Sequence, residues 1–132
     1  MEPMDDPLQR PIRSACARIE PYVTRDGSLV RELMHPAVQG NRAQSLAQAV
    51  VPAGATTLLH RHRLTEEIYH FTQGQGRMRV GGHVFEVAAG DTVCIPPGAV
   101  HNLENTGSIE MQLICACTPA YSHDDTELLD GR

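Results

Sequence analysis

From Leu29 onward the chain is cut into short apolar runs, each closed by turn-forming residues. They are SLVRELMH, SLAQAVVPAG, TTLLHRH, EIYHFTQG, GRMRVGG, HVFEVAAG, DTVCIPPG, HNLENTG and IEMQLICACTP. Short runs of aliphatic and β-branched residues between glycine, proline and asparagine punctuation predict an all-β sandwich or barrel. The Gly81-Gly82 pair, between Met78-Arg79-Val80 and His83-Val84-Phe85, predicts a tight hairpin, because both residues tolerate positive φ. Only residues 13–20 and the tail DDTELLDG could be helical, and the tail is too short to be stable alone. Residues 1–15 carry three prolines and little periodicity, so they are expected to form an arm without regular structure. At 132 residues the chain fits one domain, taken as residues 16–132.

Composition narrows the partners. Aromatic residues make up 4% of the chain and tryptophan is absent, so the core must be mostly aliphatic. The formal charge is −5 and the basic residues are scattered, which leaves no electrostatic footprint for nucleic acid or an anionic membrane. No stretch is long enough to cross a bilayer, and the acidic, proline-punctuated start MEPMDDPLQRP is neither a signal peptide nor a presequence. Cys16, Cys94, Cys115 and Cys117 form no CxxC pair, which points to reduced thiols and a cytoplasmic protein. Small molecules and other protein chains remain as partners.

The segment HRHRLTEEIYHFTQG, residues 60–74, concentrates the chemistry. His60 and His62 lie two apart in an extended run, so their side chains leave the same face, with Cα atoms about 6.5–7 Å apart. After the turn-like RLTE, the alternation Glu67, Tyr69, Phe71 puts a carboxylate on the same face as two aromatic rings, with Glu66 and His70 opposite. Downstream, Pro96-Pro97-Gly98 forces a sharp turn and His101 opens another extended run. Three imidazoles and a carboxylate suit Mn(II), Fe(II), Ni(II), Co(II) or Zn(II), and in an octahedral ion they leave two positions open. A single histidine or an HxH pair alone is also compatible with an ordinary polar surface, so the pair needs support from the rest of the chain.

That support comes from two motifs. Gly54, His60, His62, Glu67 and Gly74 meet every fixed position of G-x5-H-x-H-x4-E-x6-G, and Gly90, Pro96, Gly98, His101 and Asn105 meet every fixed position of G-x5-P-x-G-x2-H-x3-N. These are the signatures of the cupin superfamily, which the chain resembles over residues 54–105 with a short spacer from Gln75 to Ala89. RELMHP, SLAQAVVPAG and CTPAYSHDDT further resemble small single-domain cupins of the phosphomannose-isomerase-like kind, a label of sequence likeness rather than of activity. The resemblance implies a double-stranded antiparallel β-helix, or jelly-roll, of six to eight strands, with its barrel core at about residues 44–118. It implies a divalent transition metal, manganese or iron first, with nickel, zinc and cobalt as alternatives, held by His60, His62, Glu67 and His101. Gly54, Gly74, Gly90 and Gly98 fall at strand ends and take structural roles.

Around that centre several residues carry two readings. In IEMQLICACTP, alternation puts Ile109, Met111, Leu113, Cys115 and Cys117 on one face. The inward cysteines are either small core hydrophobes or thiols near the metal, candidates for catalysis. Cys94 is the weaker candidate. Tyr69 is a candidate pocket residue that could lend its hydroxyl to a proton transfer, or simply a half-buried tyrosine. Arg77 and Arg79 share a face that could bind an anion or be solvated. Glu66 could support the site or face water. His35, held extended by Pro36, could close the pocket or sit on the surface. An N-terminal strand pairing with a second subunit would bury exposed edges, so a homodimer is expected.

Three functions follow from these readings. The first is an enzyme in which the metal binds a small oxygenated, sugar- or acid-like metabolite for isomerisation, elimination or dioxygenation. A thiol-assisted version would resemble the methylthiol-releasing cupin of methylthioadenosine salvage, acting in carbon–sulfur chemistry. The third is a non-catalytic module that binds a small ligand through the metal.

Overall fold

The computed structural model describes residues 6–129. Eleven strands are present among them: β1 (Tyr22–Val23), β2 (Leu29–Met34), β3 (Ser45–Val51), β4 (His60–His62), β5 (Glu66–Gln73), β6 (Gln75–Val80), β7 (His83–Ala88), β8 (Thr92–Ile95), β9 (His101–Asn105), β10 (Met111–Thr118) and β11 (Thr126–Leu128). They form a six-stranded sheet in the order β1-β2-β3-β10-β5-β8 and a five-stranded sheet in the order β11-β4-β9-β6-β7, with antiparallel pairing throughout. The fold is all-β, a double-stranded antiparallel jelly-roll barrel. Eight of the strands, β3–β10, span the expected barrel core, and β1, β2 and β11 extend the two sheets at their edges.

The punctuation residues do what backbone sterics ask of them. Gly81 turns the β6–β7 hairpin with φ 59°, and Gly54, Gly74, Gly90 and Gly98 have φ between 77° and 97°, a region where an L side chain is strained. Gly76 serves a different purpose. A Cβ there would collide with the Met111 methyl and the Glu104 carbonyl, so glycine lets β6 lie close against both.

Period-two alternation decides what faces inward. Along β5, Glu67, Tyr69 and Phe71 are buried while Glu66, Ile68 and His70 are exposed. The inner face of the larger sheet is built of cross-strand rows, and their chemistry changes along the strands. One row joins Val30, Ala49, Leu113 and Phe71, and it packs with Met78, Leu103 and Met111 into the apolar core. The next row joins Glu32, Ala47, Cys115 and Tyr69, and the one beyond it Ser45, Cys117, Glu67 and Ile95. The barrel is filled by aliphatic and aromatic side chains at one end, while small and polar groups leave space at the other.

Both tails show what the local pattern alone could not. The stretch DDTELLDG contains a strand, β11, and not the helix its composition allows; pairing with the edge of β4 satisfies backbone groups that a one-turn helix would leave open. Residues 13–20 contain only a 3-10 turn, Cys16–Arg18, and Pro7–Gln9 forms another within the expected arm. Ser14 Oγ donates to the Leu33 carbonyl, and Cys16 Sγ to Gln48 Oε1 at 3.6 Å, which ties this segment to β2 and β3. Ile109, expected on the inward face, lies before β10 and is 55% exposed, because the strand begins only at Met111.

Candidate metal centre

The site forms where β4, β9 and β5 meet. His60 is paired with His101 across β4 and β9, and His62 follows two residues later on the same face. The three rings have centroids 4.2–5.5 Å apart, and one nitrogen from each lies within 4.8 Å of the others. All three are buried, His101 completely. Glu67 reaches the cluster from the opposite sheet, its Oε1 3.1 Å from His62 Nε2 and 3.5 Å from His101 Nε2.

Each imidazole is oriented by its other nitrogen. His60 Nδ1 lies 2.8 Å from the Leu58 carbonyl and His101 Nδ1 2.9 Å from the Ala99 carbonyl, and a carbonyl can only accept. His62 Nδ1 lies 3.0 Å from Thr126 Oγ1, which donates its own proton to the Ser122 carbonyl and so receives one from the ring. All three histidines therefore carry their proton on Nδ1 and turn a bare Nε2 lone pair inward, the arrangement that metal-ligating histidines adopt.

The donor set fits a metal ion. His101 Nε2 and Glu67 Oε1 are buried and have no hydrogen-bond partner, a costly condition unless another group satisfies them. Burial, and then the neighbouring His101, hold His60 below the ordinary imidazole value, which keeps its nitrogen free to coordinate at neutral pH. Burial would raise the Glu67 carboxyl, but imidazoles of His101 and His62 that carry a proton on Nε2 outweigh it and hold the group well below the usual carboxylate range; between neutral rings, a bound cation would take the place of those protons. The second oxygen of Glu67, Oε2, accepts from Cys117 Sγ at 3.4 Å, which directs Oε1 toward the histidines.

The cluster stands at one side of a small pocket of about 50 Å³ between the sheets. Tyr69, Cys115 and Cys117 line it. Burial, and then the charge of Glu67, push both thiols and the Tyr69 hydroxyl upward, so these three groups stay protonated. Cys94 and Glu66 are exposed on the outer face of the larger sheet. Arg77 and Arg79 also face outward. Arg77 pairs with Glu86 at 3.0 Å, and Arg79 donates to the Gly81 carbonyl. His35 does not close the pocket. Its Nδ1 accepts from the Ala37 amide and its Nε2 donates to the Tyr121 carbonyl at 2.7 Å, so the ring ties a turn to the C-terminal segment.

Residues 47–117 match the cupin domain family. The chain belongs to the cupins. An uncharacterized protein of Methanocaldococcus jannaschii is 46% identical over 119 residues, 90% of this chain and 95% of its own length. The oxalate-binding protein of Thermotoga maritima is 31% identical over 86 residues, 65% of this chain and 67% of its own. Among solved structures, a predicted oxalate decarboxylase from Thermotoga maritima superposes with a TM-score of 0.70 at 23% identity, covering 83% of this chain and 99% of that one. Oxalate decarboxylase from Bacillus subtilis gives 0.74 at 23%, and there the match covers 86% of this chain and 30% of the larger protein.

Several pocket residues lie outside the cupin motifs and were not singled out from sequence. Asp26, between β1 and β2, places Oδ2 3.6 Å from His60 Nε2. Tyr22 and Glu32 enter from β1 and β2, and Tyr121 and Thr126 from the C-terminal segment. Glu32 carried a usable signal. In LVRELM it alternates with Val30, so an inward Val30 implies an inward carboxylate two residues on. The other four sit in or beside turns, where no periodicity predicts direction.

Proposed function

We propose that this cupin is a metal-dependent enzyme in which Glu67 joins His60, His62 and His101 around a divalent transition metal, manganese or iron first. The observation that carries the reading is the convergence of bare Nε2 lone pairs with an unpartnered carboxylate oxygen beside an interior pocket. Coordination through one or two oxygens of a small metabolite would supply Lewis-acid stabilisation of an enolate or alkoxide. The chain's own groups frame that chemistry. Cys117 orients Glu67, and the protonated Tyr69 hydroxyl, which lines the pocket, would donate a hydrogen bond to a ligand oxygen. Isomerisation and elimination fit this environment, with dioxygenation as the alternative if iron is the resident metal.

Similarity to the oxalate-binding protein of Thermotoga maritima supports a second reading, a module that binds a small ligand without turning it over. Thiol-assisted carbon–sulfur chemistry is less favoured, because burial keeps Cys115 and Cys117 protonated whereas a nucleophile needs the thiolate. A homodimer and a reducing cytoplasmic setting belong to the same proposal; the latter accords with four free cysteines. Among the described residues no helix is long and apolar enough to cross a membrane.

The deciding experiment is metal analysis of protein purified without chelator, then assays with that metal restored. One ion per chain in the wild type, and loss of that ion in His60→Ala, is the expected result. Retention of the metal by His60→Ala would show the assignment to be wrong. Ligand binding without turnover across isomerase, lyase and dioxygenase substrates would favour the binding module.

A further inference from the structure

The pocket wall built from β2 and the β1–β2 turn is acidic and carries a buried carboxylate oxygen without a hydrogen-bond partner. Glu32 is 9% exposed and projects from the inner face of β2 into the pocket. Its Oε2 accepts from the Tyr22 hydroxyl at 2.7 Å, while its Oε1 is buried without a hydrogen-bond partner. Asp26 enters the same wall. Its Oδ1 accepts from Thr24 Oγ1, Ser28 Oγ and the Ser28 amide at 2.6–2.9 Å, leaving Oδ2 toward His60.

No arginine or lysine is among the residues lining the pocket, and the nearby Arg25 guanidinium is engaged with the His123 and Thr126 carbonyls. With Glu67, the pocket holds three carboxylates. One divalent ion would neutralise two of them. The row Glu32, Ala47, Cys115, Tyr69 runs across the larger sheet, so only small side chains separate Glu32 from the edge of the metal centre. Three strand-to-strand steps lie between β2 and β5, about 14 Å of backbone from which both side chains reach inward.

Building on the proposed metal site, we infer that Glu32 is a specificity-determining residue, which selects a short ligand that chelates the metal with oxygens at one end and offers a hydroxyl or ammonium donor at the other. The site therefore takes neutral or cationic polyols and amino alcohols, and disfavours dicarboxylates. A buried acceptor needs a donor, and an uncompensated carboxylate repels a second anion across a small, low-dielectric space. This differs in sign from a pocket suited to oxalate, the ligand of the oxalate-binding protein of Thermotoga maritima.

The test uses the full chain loaded with Mn(II) and calorimetric titration with three probes built on a three-carbon skeleton: 3-amino-1,2-propanediol, glycerol and malonate. The wild type is expected to bind the amino diol about tenfold or more tighter than glycerol, since the two share the chelating diol and differ only at the far end. In Glu32→Gln, which preserves shape, that advantage should vanish, affinity for malonate should rise by about tenfold, and Mn(II) content should be unchanged. Equal binding of the amino diol and glycerol by the wild type would overturn the inference even if the variant did not fold. So would a Glu32→Gln variant that moves the amino diol and malonate in the same direction or moves neither. A wild type that takes up no Mn(II) would instead overturn the metal reading itself, and this inference with it.

Discussion

The Thr126 hydroxyl accepts the Nδ1 proton of His62 at 3.0 Å while giving its own proton to the Ser122 carbonyl. A residue on the last strand thus sets the tautomer of a histidine on β4. Thr126→Val keeps the shape and removes the acceptor, leaving the buried Nδ1–H unsatisfied. Metal affinity is expected to fall by about 10–100-fold, the range typical of a lost outer hydrogen bond. Competition against a chromophoric chelator measures it, and an unchanged affinity would contradict the role given to Thr126.

The four thiols should separate cleanly. Cys16 and Cys94 are exposed, whereas Cys115 and Cys117 are buried and held protonated. Iodoacetamide at pH 7.5, followed by mass spectrometry, is expected to label the first pair and to reach the second only after unfolding. Rapid labelling of Cys117 in the folded protein would revive the thiol-assisted reaction.

Stability of the metal-free protein should fall with acid. His60 is held below its ordinary value of 6.5, so the unfolded chain takes up a proton first as pH falls. The contribution is complete above about pH 6.5 and is lost as pH falls toward the depressed folded value. Glu67, also depressed, adds a loss of the same sign further into acid. Thermal melts of chelator-treated protein from pH 7.5 to 5 are expected to decline, less steeply in His60→Gln. A flat profile would count against the shift.

Gly76→Ala probes the closest backbone approach. The added methyl would meet the Glu104 carbonyl, which belongs to the paired strand β9 and cannot swing away, as well as the Met111 methyl. Over-packing of this kind costs about 1–3 kcal/mol. Denaturant unfolding should show the midpoint lowered with little change in slope. Gly82→Ala, where a Cβ would meet nothing within 4 Å, provides the control and should be close to neutral.

Much of the centre was readable because strand geometry and turn chemistry act locally. His60 and His62 share a face by spacing alone, Glu67 follows from alternation with Tyr69 and Phe71, and His101 follows a proline-glycine turn. The Gly81 hairpin was readable for the same reason. Asp26, Tyr121 and Thr126 were not, since they stand far from the motifs along the chain and reach the site only through the folding of β2 and β11 onto the sheets. The tail failed as a helix because its strand conformation depends on an edge of β4 that no local pattern encodes. His35 failed as a pocket residue because the loop after β2 carries it to Tyr121 instead.

The acidic wall comes from residues 22–32, whereas the histidines and Glu67 come from residues 60–101. If the inference holds, ligand recognition and metal binding are written in separate stretches of one chain, which meet through the β2–β3 pairing and through Asp26, whose carbonyl accepts from the Leu58 amide and whose Oδ2 lies 3.6 Å from His60 Nε2. Grafting residues 19–34 onto another cupin of matching register would then transplant ligand preference without rewriting the metal ligands, and the reciprocal graft would turn this barrel toward anions. A small barrel built this way can diversify its ligands through exchange of a single hairpin.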